Sequence, residues 1–171
     1  APNGVLRCAF VGRLVPYKGP DMLLEAVRPL LEAGRLRLDI IGDGPMRPAL
    51  EAQVKGVQGV TFYGWRTHEA VQDVLASCHL LTFPSIREFG GGVVLEAMAL
   101  GVVPLIVDYA GPRELVTPGT GIKVPCGTRD QIIAAVRAEL ELLADDPSGL
   151  PALSKPARML VQPHFTWDRK A

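Results

Sequence analysis

Apolar residues along this 171-residue chain fall into two rhythms. One is the short, nearly unbroken apolar run: Leu6 to Val11, Leu36 to Ile41, Val60 to Tyr63, Leu80 to Phe83, Val102 to Val107 and Gly121 to Val124. Such runs predict strands buried on both faces, as in a parallel sheet covered by helices on each side. The other rhythm places apolar residues near the 3.6-residue period. It predicts a helix capped by Asp21 and carrying Leu23, Leu24, Ala26, Val27, Leu30 and Leu31, with Pro29 as a kink and Gly34 as the stop. Further helices are predicted over Met46–Val54, His68–Ser77, Val93–Leu100 and Ala152–Leu160. Thr128 and Gln131 have capping-box spacing and open a long helix to about Ala144, while Pro112–Leu115 reads as a helical turn.

The two rhythms alternate strand, helix, strand, helix. The fold class expected is therefore α/β: a single Rossmann-like domain over residues 1–171, with an open, mostly parallel sheet of about six strands and helices on both faces. Ligands of such sheets bind outside the carboxyl ends of the strands. Each glycine-rich loop here follows a strand: Gly12 to Gly19, Gly42 to Gly44, Gly64, Gly90 to Gly92 and Gly111.

The richest of these stretches lies between the fourth strand and the helix beginning near Val93. Three consecutive glycines, Gly90, Gly91 and Gly92, are flanked by Glu88 and Glu96 with seven residues between the two carboxylates. A strand, a glycine turn and a helix start suit an anion, because the first N–H groups of the helix have no partner inside it and glycine lets the backbone approach closely. A phosphate repels carboxylates, so Glu88 and Glu96 are expected to point past it and accept from neutral hydroxyls. Phosphate flanked by hydroxyl-bearing rings describes a nucleotide sugar. The plainer alternative is a tight turn with two solvated glutamates.

Charge narrows the partners. Eighteen Lys plus Arg balance eighteen Asp plus Glu, which argues against a general nucleic-acid binder. Cys8, Cys78 and Cys126 are odd in number and widely spaced, with no zinc pattern, which points to a reducing, cytoplasmic compartment; Cys8 and Cys78 read as small core residues. No apolar run is long enough for a membrane span. Gly12 starts no Gly-x-Gly-x-x-Gly fingerprint, Ser85 is in no nucleophile elbow, and neither His68, His79 nor His164 has a carboxylate or nucleophile at an informative spacing. Asp43 reads as the shaper of a glycine turn.

In register, several segments resemble the donor-binding, C-terminal half of GT-B glycosyltransferases of the retaining group called family 4 or group 1. They are Gly12-Arg13-Leu14 with Lys18-Gly19, Gly42-Asp43-Gly44-Pro45, Phe62-Tyr63-Gly64-Trp65, Glu88 with Glu96-Ala97-Met98-Ala99-Leu100-Gly101, Ala110 to Val116 with Gly119 to Gly121, and Phe165-Thr166-Trp167. Two departures stand out: Phe89 directly follows Glu88, and Ala110-Gly111 replaces a double glycine.

The resemblance implies a nucleoside-diphosphate sugar as donor and retaining transfer to an acceptor hydroxyl, without a metal or other cofactor. Arg13 and Lys18 would face the diphosphate. Gly12 and the backbone of Gly90, Gly91, Gly92, Val93 and Val94 would hold phosphate. Glu96 would accept from the ribose, Glu88 from the transferred sugar, and Trp65 and Arg66 would sit near the base. It also implies an N-terminal acceptor domain that this chain lacks, little activity for this domain alone, a terminal helix begun at residues 163–171, and peripheral attachment at the inner membrane face for lipid acceptors. A sugar-nucleotide epimerase or phosphorylase of the same architecture, and a non-catalytic Rossmann interaction module, are the alternatives.

Overall fold

The computed structural model of the chain describes residues 4–85, 92–108, 116–117 and 119–161. Six strands form one sheet: β1 (Leu6–Val11), β2 (Leu36–Ile41), β3 (Val60–Gly64), β4 (Leu80–Phe83), β5 (Val103–Val107) and β6 (Ile122–Val124). Their order across the sheet is β3-β2-β1-β4-β5-β6, and every pairing is parallel. The helices are α1 (Pro20–Glu32), α2 (Arg47–Gln53), α3 (His68–Ala76), α4 (Gly92–Ala99), α5 (Arg129–Asp145) and α6 (Leu150–Val161), with short 3-10 turns at Pro16–Lys18 and Pro147–Gly149. This is the doubly wound, Rossmann-like sheet expected from the alternation of runs.

Strands β4 and β5 are buried along their whole length because both faces of the sheet are covered there, whereas β2 keeps Arg37 exposed and Asp39 partly buried. Leu6, Cys8 and Phe10 of β1 join Leu36, Leu38 and Ile40 of β2 against α1 and α5. Ala9 of β1 faces the other way, with Leu81 and Phe83 of β4, Leu75 of α3, Val94, Ala97 and Met98 of α4, and Ala157 of α6. Successive strand residues thus feed two separate cores, the consequence of a side-chain period of two. Cys8 and Cys78 are buried, as their apolar neighbours imply.

Several helix ends differ from expectation. The N-cap of α1 is Gly19, in a left-handed conformation with φ 71°, and not Asp21. Pro20 takes the first helical position, where its missing N–H costs nothing, so Asp21 falls inside the first turn and accepts from Arg129 at 2.6 Å. The helix also runs through Pro29 to Glu32. Pro29 has no N–H for the Glu25 carbonyl, and Arg137 of α5 supplies the donor: its Nη2 lies 2.6 Å from Glu25 O, and its Nε lies 3.1 Å from Ala26 O. The Thr128–Gln131 capping box forms as its spacing predicts. Thr67, whose hydroxyl accepts from Ala70 N, caps α3. The turn expected at Pro112–Leu115 and the helix start at 163–171 lie outside the described residues.

Winding reverses between β1 and β4, the point where an open α/β sheet leaves a crevice at its strand ends. The loops bordering that crevice are the one after β1, which holds Gly12 to Gly19, and the one leading from β4 towards α4.

Candidate active site at the strand carboxyl ends

Three loops are laced together beside the crevice. Gly12 N donates to Ile41 O, Leu14 N to Asp43 O and Met46 N to Leu14 O, at 3.0–3.1 Å, and Gly42 N donates to Gly64 O at 2.8 Å. The crossing is close. A β-carbon on Gly42 would meet the Gly12 carbonyl oxygen at 1.8 Å, and one on Gly44 would meet Leu14 O at 2.6 Å. Glycine is required at both positions by backbone, not by a movable side chain. Leu14, fully buried, pins the middle of the first loop.

Asp43 completes this scaffold. Its Oδ1 accepts from Gly44 N at 2.8 Å and its Oδ2 from Arg47 at 3.3 Å, so it shapes the turn as its glycine neighbours suggest.

The laced loops leave a cleft of about 560 Å³ lined by Gly12, Arg13, Gly42, Asp43, Gly44, Trp65, Arg66 and neighbouring apolar residues. Four of the sequence-predicted site residues, Gly12, Arg13, Trp65 and Arg66, therefore meet in one concavity. The Trp65 indole is 74% exposed, an unusual amount for so large an apolar ring. Arg66 donates to Trp65 O at 3.0 Å and lies over the Tyr63 ring at 5.9 Å.

Lys18 closes the same loop on the side of the switch point. Its Cδ would stand 3.2 Å from a β-carbon on Gly12, so its stem folds back over that glycine. Its Nζ lies 5.7 Å from the Tyr17 ring centre and 5.9 Å from that of Phe83, the last residue of β4. Gly19 is packed against Pro84: a β-carbon there would be 3.3 Å from both Pro84 Cγ and Pro84 O. The loop after β1 is thus held on one flank by the β2 loop and on the other by the end of β4.

Gly92, Val93 and Val94 open α4, and no other described residue comes within 4 Å of a β-carbon added at Gly92. One turn on, Glu96 is half-buried, its side chain 22% exposed. Burial pushes its carboxyl above the ordinary range, and the nearby His68 pulls it partly back. Glu88, Gly90 and Gly91 lie outside the described residues.

His68 corrects the sequence reading, which gave it no carboxylate partner. Its Nδ1 stands 3.9 Å from Glu96 Oε1, and its Nε2 is 3.1 Å from the Gln72 amide nitrogen one turn along α3. His79, by contrast, is structural: its Nδ1 accepts from Arg7 N at 3.0 Å. Among the described residues no three His, Cys, Asp or Glu side chains cluster as a metal site would require, and no helix is long and apolar enough to cross a membrane.

A second cavity, about 610 Å³, opens at the other end of the sheet near Gly34, Leu36 and Gly59, where the strands begin. It gathers none of the predicted site residues and lies away from the carboxyl ends at which such sheets bind ligands.

A family model described as "Glycosyl transferases group 1" matches residues 6–143. Among characterised relatives, the alpha-D-kanosaminyltransferase of Streptomyces kanamyceticus is 35% identical over 81% of this chain and 36% of its own length. The GDP-mannose-dependent monoacylated alpha-(1-6)-phosphatidylinositol monomannoside mannosyltransferase of Corynebacterium glutamicum is 32% identical over 91% of this chain and 42% of its own. The chain thus spans about two fifths of the length of the curated relatives it matches. The crystal structure of Anabaena HepE in complex with UDP and glucose superposes with a TM-score of 0.81 at 21% identity, over 95% of this chain and 45% of that one, a likeness of fold.

Proposed function

The chain belongs to the glycosyl transferases group 1 family, and from that premise we propose that it is the donor-binding domain of a retaining glycosyltransferase. It would bind a nucleoside-diphosphate sugar, and the longer protein would transfer that sugar to an acceptor hydroxyl. The observation that carries the reading is the convergence of Gly12 and Arg13, from the loop that also carries Lys18, with Trp65 and Arg66, from the loop after β3, on one cleft at the end of the sheet where Rossmann-like folds bind nucleotides.

Each role follows from the chemistry of the group. Arg13 and Lys18 oppose the two phosphates, and their attraction grows as the departing diphosphate gains charge, so they favour the transition state over the ground state. Gly12 admits the phosphate chain close to the backbone. The N–H groups from Gly92 to Val94 at the start of α4, with those of Gly90 and Gly91, donate to the distal phosphate. Trp65 and Arg66 flank the base. Glu96, set one turn beyond the phosphate, accepts from the ribose hydroxyls, and Glu88 from those of the sugar. Two cations neutralise the diphosphate without a divalent ion, so donor binding is expected to survive EDTA.

The acceptor and the remaining catalytic groups would come from a second, N-terminal domain of the full-length protein. The domain alone is expected to bind donor and transfer little. The reading places it in the cytoplasm, with attachment at the inner membrane face when the acceptor is a lipid.

Saturation-transfer NMR with UDP-, GDP- and ADP-sugars tests this. Strong transfer to the base and ribose protons of at least one donor is expected. Absence of transfer to all three would remove the proposal.

A further inference from the structure

Among the described residues, His68 is the titratable side chain that stands against Glu96 and that the roles above leave unused. It begins α3, directly after the N-cap Thr67. Its ring has two differently occupied edges. Nε2 faces the Gln72 amide nitrogen at 3.1 Å. An amide NH2 only donates, so in this arrangement Nε2 accepts and the ring proton resides on Nδ1. Nδ1 is the edge turned towards Glu96, 3.9 Å from Oε1. That separation is longer than a hydrogen bond, as contacts in unliganded sites commonly are before a ligand excludes water.

We infer that Gln72 and His68 are positioning residues for Glu96. Gln72 fixes the imidazole tautomer, His68 Nδ1–H holds Oε1, and Oε2 is left to accept from the ribose. The arrangement follows the general logic in which a partner on one ring nitrogen decides what the other presents. Exposure agrees with it. The His68 side chain is 50% exposed and Glu96 22%, so the imidazole stands on the solvent side of the carboxylate, where a bound ribose would cover both. Without the imidazole, Glu96 loses the group that orients it.

The inference rests on the reading of Glu96 as the ribose acceptor, and its test separates the two. UDP, GDP and ADP, each with its 2′-deoxy and 3′-deoxy analogue, are titrated calorimetrically into the wild-type chain and into His68→Ala, His68→Asn and Gln72→Ala. The wild type is expected to prefer the ribonucleotide. His68→Ala is expected to weaken the ribonucleotide about three- to tenfold, the size of one net hydrogen bond, and to leave the analogue lacking the relevant hydroxyl unchanged. His68→Asn, which can present an amide N–H near the position of Nδ1–H, restores part of the loss, and Gln72→Ala produces a smaller loss of the same kind. A ribonucleotide preference intact in His68→Ala, or equal weakening of ribo- and deoxynucleotides, would overturn the inference alone. A wild-type chain that binds no nucleotide, or binds without ribose preference, would overturn the ribose role of Glu96 and the inference with it.

Discussion

A β-carbon placed on Gly42 would lie 1.8 Å from the carbonyl oxygen of Gly12. The loop after β2 therefore fixes the height of the loop after β1, and with it the backbone from which Arg13 and Lys18 extend. Gly42→Ala forces these loops apart and also strains a backbone at φ 139°. Overpacking and an unfavourable φ each cost ~1–3 kcal/mol. The variant is expected to melt several degrees lower and to lose nucleotide binding; thermal unfolding and calorimetry check both.

Arg13→Ala and Lys18→Ala are expected to leave the melting temperature nearly unchanged, since neither side chain is part of the buried core. On the proposed donor site, each is expected to remove one charged contact with the diphosphate, worth roughly 1.5–3 kcal/mol, or about tenfold to a hundredfold in Kd. The comparison that isolates this is diphosphate against nucleoside: the nucleoside, lacking phosphate, binds both variants as it binds the wild type.

Glu96 should trade stability for binding. Burial raises its folded carboxyl above the ordinary 4.5, so the folded state holds its proton more tightly than the unfolded state. Stability is then lost as pH rises from about 4.5 through the folded value, and the ionised carboxylate burdens the fold at neutral pH. Glu96→Gln is expected to raise the melting temperature at pH 7, with the gain shrinking below pH 4.5, while weakening ribonucleotide binding about tenfold. Melting curves across pH 4–8 measure the first effect.

Arg137→Met keeps the aliphatic stem but removes the donors that serve the Glu25 and Ala26 carbonyls beside Pro29. The Ala26 contact is part-buried and the Glu25 contact exposed, so the loss is that of ordinary net hydrogen bonds, ~0.5–1.5 kcal/mol each. Chemical denaturation is expected to show that loss. Replacing Pro29 by Ala in the same variant restores an N–H for Glu25 O and should recover part of it.

The sheet was legible because parallel strands covered on both faces are rich in apolar residues, and six such runs matched the observed strands to within a residue. Helix starts were less so. The 3-10 turn at Pro16–Lys18 is held by two i to i+3 bonds, from Lys18 N to Val15 O and from Gly19 N to Pro16 O, and is too short to leave a periodicity to read. Asp21 looked like a cap by type, but Pro20 carried the better signal, since proline belongs at the first helical position. That the loop residues Gly12, Arg13, Trp65 and Arg66 meet in one cleft was legible because each follows a strand, and the strand ends converge. His68 was missed because its partner is 28 positions away on another helix; Glu96 and His68 meet only once α3 and α4 lie side by side. Arg137 was missed for the same reason.

The most direct test of the donor site is calorimetric titration of the wild-type chain and of an Arg13→Ala, Lys18→Ala double variant with UDP, GDP and ADP, in EDTA. The account predicts that the wild type binds at least one of the three and that the double variant binds it about a hundredfold more weakly or not at all. Equal binding by both proteins, or no binding by the wild type, would contradict it.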